Sequence, residues 1–208
     1  MKTLWVFGDS HTEGHGCTNA FEYYQQYYKE GDKIWCEHLA QHLKTNVINK
    51  GTNGASNDMI LDSIVDSVDE IKSDDIVIIG KTYSNRFDVP QQSGLNPVFL
   101  DWLKVDLDEN NSQFTLEQQR CIIDFRYYFM ESPLFDERWN KRWEFVQKVL
   151  ENMGCKVIVW DVMKELKGIH TIKQATNAKI NDGHMSFQGH LDFSYHMFNK
   201  WFKDQFSI

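Results

Sequence analysis

The sequence predicts a doubly wound α/β fold, a parallel sheet with helices on both faces. Three observations carry that expectation. Four short apolar runs, Thr3 to Phe7, Asn46 to Asn49, Asp75 to Ile79 and Lys156 to Trp160, read as buried strands. Helical periodicities occupy the chain between them. Polar or glycine-bearing residues follow each run, as they do where a strand ends and the chain turns back over the sheet. Strands that alternate with helices bury both faces of one sheet.

The first run ends at Gly8-Asp9-Ser10. Ile34 to Leu43 places Ile34, Trp35, Leu39 and Leu43 on one face and predicts a helix, and Asn57 to Ile71 repeats apolar residues at Ile60, Ile64, Val68 and Ile71. The stretch from Lys81 to Met153 is longer than one crossover needs. As far as Asn111 it carries Pro90, Gly94, Pro97, Asn110 and Asn111, which predicts an irregular loop. Two helices are expected after it, Thr115 to Glu131 and Phe135 to Met153. The second sets Trp139, Trp143, Val146 and Leu150 on one face and ends at Gly154 as C-cap. Residues 81–153 therefore read as a helical insertion on one edge of a single domain, 1–208. A last amphipathic helix, Ser186 to Phe206, is expected to turn Leu191, Tyr195, Phe198 and Phe202 inward. No repeat, low-complexity tract or linker divides the chain, and 208 residues suit one α/β core.

Composition narrows the function classes. With 41% hydrophobic and 25% charged residues the chain has the make-up of a soluble globular protein. A net charge of −8 argues against a nucleic-acid partner, because neutralising phosphates needs clustered Lys and Arg. The start, Met1-Lys2-Thr3-Leu4-Trp5-Val6-Phe7, reaches Gly-Asp-Ser before a signal peptide could form, and no segment has the length of a membrane span. A cytoplasmic protein with no membrane partner is expected. Cys17, Cys36, Cys121 and Cys155 form no CxxC pair, so reduced thiols are expected rather than a disulfide or zinc framework.

In open parallel sheets ligands bind at the carboxyl ends of the strands, so the residues there are the chemical candidates. They are Gly8-Asp9-Ser10-His11-Thr12, then Asn49-Lys50-Gly51-Thr52-Asn53-Gly54-Ala55-Ser56, then Gly80-Lys81-Thr82-Tyr83-Ser84-Asn85, then Asp161. Asn181-Asp182-Gly183-His184 precedes the last helix. Acyl transfer needs a nucleophile, a base and donors aimed at the developing oxyanion. Ser10 turns from strand to helix, where its hydroxyl can be exposed. Gly54 lets a backbone N–H come close to substrate, Thr82 or Asn85 can offer a side-chain donor, and His184 can serve as base. For Ser10 alone a helix-capping role is the plain alternative, and for Gly51 a turn role is the simpler reading. Arg86 and Asn85 are candidates to bind substrate, with a salt bridge the alternative for Arg86. His190 reads as a helix-facing residue. Trp102, Trp139 and Trp143 read as core, with a pocket-lining role as the alternative.

Gly8-Asp9-Ser10, the Asn49-x-Gly51-x-x-Gly54 block, a glycine after the third strand and Asp182-Gly183-His184, in that order over almost the whole chain, resemble the SGNH/GDSL hydrolases. The resemblance implies a flavodoxin-like three-layer α/β/α fold with a central parallel sheet. It also implies hydrolysis of carboxylic esters through an acyl-enzyme on Ser10, including removal of acetyl groups from carbohydrates; short acyl esters are expected because no long apolar lid segment appears, and no cofactor or metal is expected. Ser10 is then nucleophile and oxyanion donor, Gly54 the second donor and His184 the base. Two blocks depart from the pattern. The third family block is Gly-x-Asn-Asp, and here Thr82 stands in place of the Asn. The last is Asp-x-x-His, and here Asn181 lies three before His184 while Asp182 lies two before. Asp182 at altered spacing, Asp161, or no acid at all can therefore complete the site, with Asp182 favoured. Two other classes stay open: a non-catalytic ligand-binding module on the same fold, and a metal-dependent phosphoesterase built on Asp9, His11, Glu13 and His15, with Asp182 and His184 completing the ligand set.

Overall fold

A computed structural model of the chain describes residues 2–15, 33–84, 86–91, 94–99, 115–125, 133–169, 171 and 184–205. Among the described residues six strands and seven α-helices run in the order β1 (Thr3–Gly8), α1 (Ser10–Glu13), α2 (Trp35–Leu43), β2 (Asn46–Gly51), α3 (Asn57–Ser67), β3 (Ile76–Lys81), β4 (Arg86–Gln91), β5 (Gly94–Phe99), α4 (Leu116–Phe125), α5 (Pro133–Asn152), β6 (Lys156–Asp161), α6 (Val162–Glu165) and α7 (Phe187–Trp201). The four apolar runs form one parallel sheet in the order β2-β1-β3-β6. The fold is three-layer α/β/α.

Strand alternation explains the layers. Leu4, Val6, Ile76, Ile78, Ile158 and Trp160 face α2 and α7, where they meet Trp35, Leu39, Phe193 and Met197. Trp5, Phe7, Val77 and Ile79 face the other way, onto Ile60 and Ile64 of α3 and Trp139, Trp143, Val146 and Leu150 of α5. Trp35, Trp160 and Phe193 pack ring against ring in the first layer, with centroids 4.9 to 6.0 Å apart.

Asp75, expected inside β3, sits just before it as a buried clasp. Its carboxylate accepts from the Thr3 N–H at 2.8 Å, Trp5 Nε1 at 3.1 Å and the Lys72 N–H at 3.0 Å, so it satisfies three donors and fixes the register of β1 against β3.

Three expectations need correction. The segment expected as an irregular loop contains an antiparallel hairpin, β4 against β5, with Asp88 opposite Pro97 and Pro90 opposite Leu95. Each strand of a two-stranded ribbon has an unpaired outer edge, and there a proline costs no ladder bond. Helix α5 is not an edge elaboration: it is the crossover between β3 and β6 and supplies much of the second core layer, with Trp139 and Trp143 buried as core. On α7 the inward residues are Gly189, His190, Phe193, Ser194 and Met197, while Tyr195 is 47% exposed. Polar His190 and Ser194 hide that face from an apolar pattern. Ser194 Oγ donates to the Leu191 carbonyl at 2.7 Å, and His190 Nδ1 accepts from the Trp35 N–H at 3.4 Å. Cys36, Cys121 and Cys155 are free thiols, and burial pushes the Cys36 thiol far up. Among the described residues no helix is long and apolar enough to cross a membrane.

Candidate active site

Sheet order sets where a site can form. The chain leaves β1 toward β2 on one side and returns to β3 on the other, so the helices after β1 and β2 diverge and leave a crevice at the carboxyl end of β1. Ser10 stands there, as first residue of the one-turn helix α1. Asp9 caps that turn, its side chain accepting from the His11 N–H at 3.1 Å, and Gly14 closes it in the left-handed conformation.

Helix α1 lies directly on the end of β2. Asn49 Nδ2 donates to the Thr12 carbonyl at 3.0 Å, and Asn49 Oδ1 accepts from the Gly51 N–H at 2.9 Å. A Cβ on Gly51 would stand 2.4 Å from the Glu13 nitrogen, so glycine at 51 is what allows this approach. The turn role expected for Gly51 is thus replaced by one of close packing. Gly54 follows with φ of 75°, a conformation that favours glycine. Among the described residues neither the Ser10 N–H nor the Gly54 N–H meets an acceptor.

His184 Nε2 lies 2.8 Å from Ser10 Oγ. The histidine comes from the segment just before α7, whose cap Ser186 accepts from the Gly189 N–H at 3.1 Å. The rings of His11 and His15 flank it, with centroids 4.8 and 4.5 Å from its own. Behind them His190 is buried, and that burial first, then the nearby His11, His38 and His184, lowers its pKa to about 3.

The third strand-end block is organised by charge. Asp9 Oδ2 accepts from Thr82 Oγ1 at 2.8 Å and from Arg86 Nη1 at 2.9 Å, and the same Nη1 reaches Thr82 Oγ1 at 2.7 Å. A hydroxyl has one proton to give and Thr82 gives its proton to the carboxylate, so the expectation of Thr82 as an oxyanion donor is corrected. Asn57 holds the Thr82 backbone from both sides, Oδ1 accepting from its N–H at 3.0 Å and Nδ2 donating to its carbonyl at 3.1 Å. Ser84 Oγ donates to Asp136 of α5, and Lys81 Nζ donates to Asn140 at 3.1 Å, tying this loop to the crossover helix.

Among the sequence candidates, then, Ser10 and His184 come together, and Arg86 joins Asp9 in a salt bridge. Asp161 is engaged elsewhere, 3.5 Å from Lys81 Nζ and 3.6 Å from Lys164 Nζ. Asp182, Asn85, Cys17 and Trp102 lie outside the described residues. Among the described residues no group of three His, Cys, Asp or Glu side chains is placed to hold a metal ion, so Asp9, His11, Glu13 and His15 do not converge as ligands. Asn57 was not singled out by sequence reasoning, since Ser-Asn opening a helix reads only as a cap.

Two solved structures are similar to the chain over nearly its whole length. One is a protein assigned to the lipolytic G-D-S-L family from Desulfitobacterium hafniense DCB-2, with 15% identity and a TM-score of 0.40, covering 95% of this chain and 98% of that one. The other is a member of the lipolytic G-D-S-L family from Veillonella parvula DSM 2008, with 14% identity and a TM-score of 0.39, covering 97% and 98%. No family model and no curated protein matches the sequence.

Proposed function

We propose that the chain is a serine hydrolase of short acyl or acetyl esters, including those on carbohydrates. The single observation that supports it is the 2.8 Å contact of Ser10 Oγ with His184 Nε2 at the carboxyl end of the parallel sheet. In this reading Ser10 Oγ attacks the ester carbonyl while His184 takes its proton. The carbonyl oxygen becomes an oxyanion, received by the N–H groups of Ser10 and Gly54. Collapse of the tetrahedral intermediate expels the alkoxide, which takes the proton back from His184 and leaves as the alcohol. Water then attacks the acyl-serine, again through His184, and releases the acid. Asp182 is the acid proposed to orient His184.

The test is labelling with a fluorophosphonate probe beside turnover of p-nitrophenyl acetate. Wild-type protein is expected to take one label at Ser10 and to turn over. Ser10→Ala should lose the label and nearly all activity, a drop on the order of 10³-fold or more. Turnover that survives Ser10→Ala and disappears with a chelator would refute the proposal in favour of a metal-dependent phosphoesterase. A folded wild-type protein that takes no label would refute it in favour of a binding module.

A further inference from the structure

The residue immediately before the proposed nucleophile carries a carboxylate with no solvent exposure. One Asp9 oxygen caps α1, and the other takes the Thr82 hydroxyl and Arg86 Nη1. A lone buried carboxylate is costly, and the counter-charge is a guanidinium itself only 11% exposed. That same Nη1 lies 3.4 Å from the carbonyl of Ala55, the neighbour of Gly54. The Arg86 guanidinium also lies over the Tyr83 ring, 4.9 Å from its centroid. One cation therefore touches the turn that presents the Ser10 N–H and the turn that presents the Gly54 N–H.

We infer that Arg86 is a positioning residue for acyl transfer that acts through Asp9: it neutralises the carboxylate beside Ser10, so that an oxyanion can form there. The inference rests on the hydrolase reading above. Only one peptide unit, about 3.8 Å between Cα atoms, separates Asp9 from Ser10, and because the Asp9 carboxylate has no solvent exposure its charge is screened far less than a surface charge at that range. A negative oxyanion must form where an unbalanced Asp9 would repel it. The consequence has a sign. Removing the cation leaves the repelling charge and slows chemistry, whereas removing the anion does not. A merely structural tie would be damaged equally from either end.

The experiment measures kcat and KM for p-nitrophenyl acetate, per site titrated with fluorophosphonate, in wild type, R86Q, D9N, the double variant D9N/R86Q and R86K. R86Q is expected to lose roughly 10- to 100-fold in kcat, the range for weakened oxyanion stabilisation, with KM little changed. D9N and the double variant are each expected to be at least about fivefold faster than R86Q, by the sign argument of charge repulsion. Equal rates in R86Q, D9N and the double variant would overturn the inference, as would an R86Q that keeps the wild-type kcat. If R86Q does not fold by circular dichroism, D9N and R86K carry the test. Both must hold kcat within about fivefold of wild type, because each avoids the unbalanced carboxylate, and a larger loss in either overturns the inference. A wild type without label or turnover sinks the hydrolase reading itself, while an active wild type with a flat variant series sinks only the role of Arg86.

Discussion

Gly51→Ala offers the sharpest link between packing and chemistry. Gly51 does not have positive φ, so alanine can adopt its backbone conformation and the whole cost is steric. The new Cβ would lie 2.4 Å from the Glu13 nitrogen, 2.8 Å from the Thr12 carbonyl carbon and 2.9 Å from Glu13 Cα. All three are backbone atoms of α1 and cannot rotate away. Ordinary contact begins near 3.4 Å, so α1 must retreat from β2 by about 1.0 Å. The helix that moves begins with Ser10, and a displacement of that size is enough to break its 2.8 Å contact with His184. Misplacing a nucleophile by an ångström costs about 10²-fold in rate. The same overpacking should destabilise the fold by about 1–3 kcal/mol, partly offset by about 0.4–1 kcal/mol from the stiffer unfolded chain. The assay is kcat for p-nitrophenyl acetate and the rate of fluorophosphonate labelling, with Tm measured alongside. A variant that melts with wild type and keeps kcat within about twofold would show that α1 does not need this close seat, and the steric reasoning would be wrong.

Two further outcomes concern stability. Asp75→Ala leaves the Thr3 and Lys72 N–H groups and Trp5 Nε1 without their acceptor, at about 1–3 kcal/mol for the buried indole and less for the two part-buried N–H groups, so urea denaturation should show a loss of about 2–4 kcal/mol; a loss under about 1 kcal/mol would mean that water replaces the carboxylate. His190 stays neutral in the fold down to about pH 3, whereas the unfolded chain takes up a proton below about pH 6.5. The unfolded state therefore binds more protons between those values, and this residue's share of stability falls as pH drops through that window, by about 1.4 kcal/mol per pH unit. The stability of wild type relative to His190→Gln should decline with that slope between pH 6 and 4 in urea titrations, and parallel curves would contradict the assignment.

How much was legible beforehand depended on how far apart the interacting residues lie. The four strands were readable because each is a short run with an apolar centre, buried almost throughout in β1 and β3 and partly in the edge strands β2 and β6, and the strand-end blocks followed from them. Ser10 and His184 could be paired only by what acyl transfer demands, since nothing local marks a contact 174 residues apart. The hairpin was missed because Pro90, Gly94 and Pro97 are turn signals that a two-stranded ribbon tolerates. On α7 the expected Phe198 and Phe202 do pack on the core, but Tyr195 turns outward and His190 and Ser194 turn inward, polar residues that an apolar pattern does not count. Thr82 was expected to face substrate on the strength of its place after β3. The charge of Asp9, 73 residues away, turned its hydroxyl aside, and Arg86 followed the same carboxylate. Gly51 looked like punctuation because a sequence does not display which backbone lies against a missing Cβ.

The span between serine and histidine also sets a timetable. Ser10 leaves the ribosome 174 residues ahead of His184, and its histidine partner arrives only with the segment that seats α7 against α2. In the proposed reading, a nascent or truncated chain ending before that segment carries the hydroxyl without its base. In the reading proposed here, reactivity is withheld until the last layer of the sandwich closes. The first moment at which a fluorophosphonate can capture Ser10 would then report that α7 has closed on the sheet.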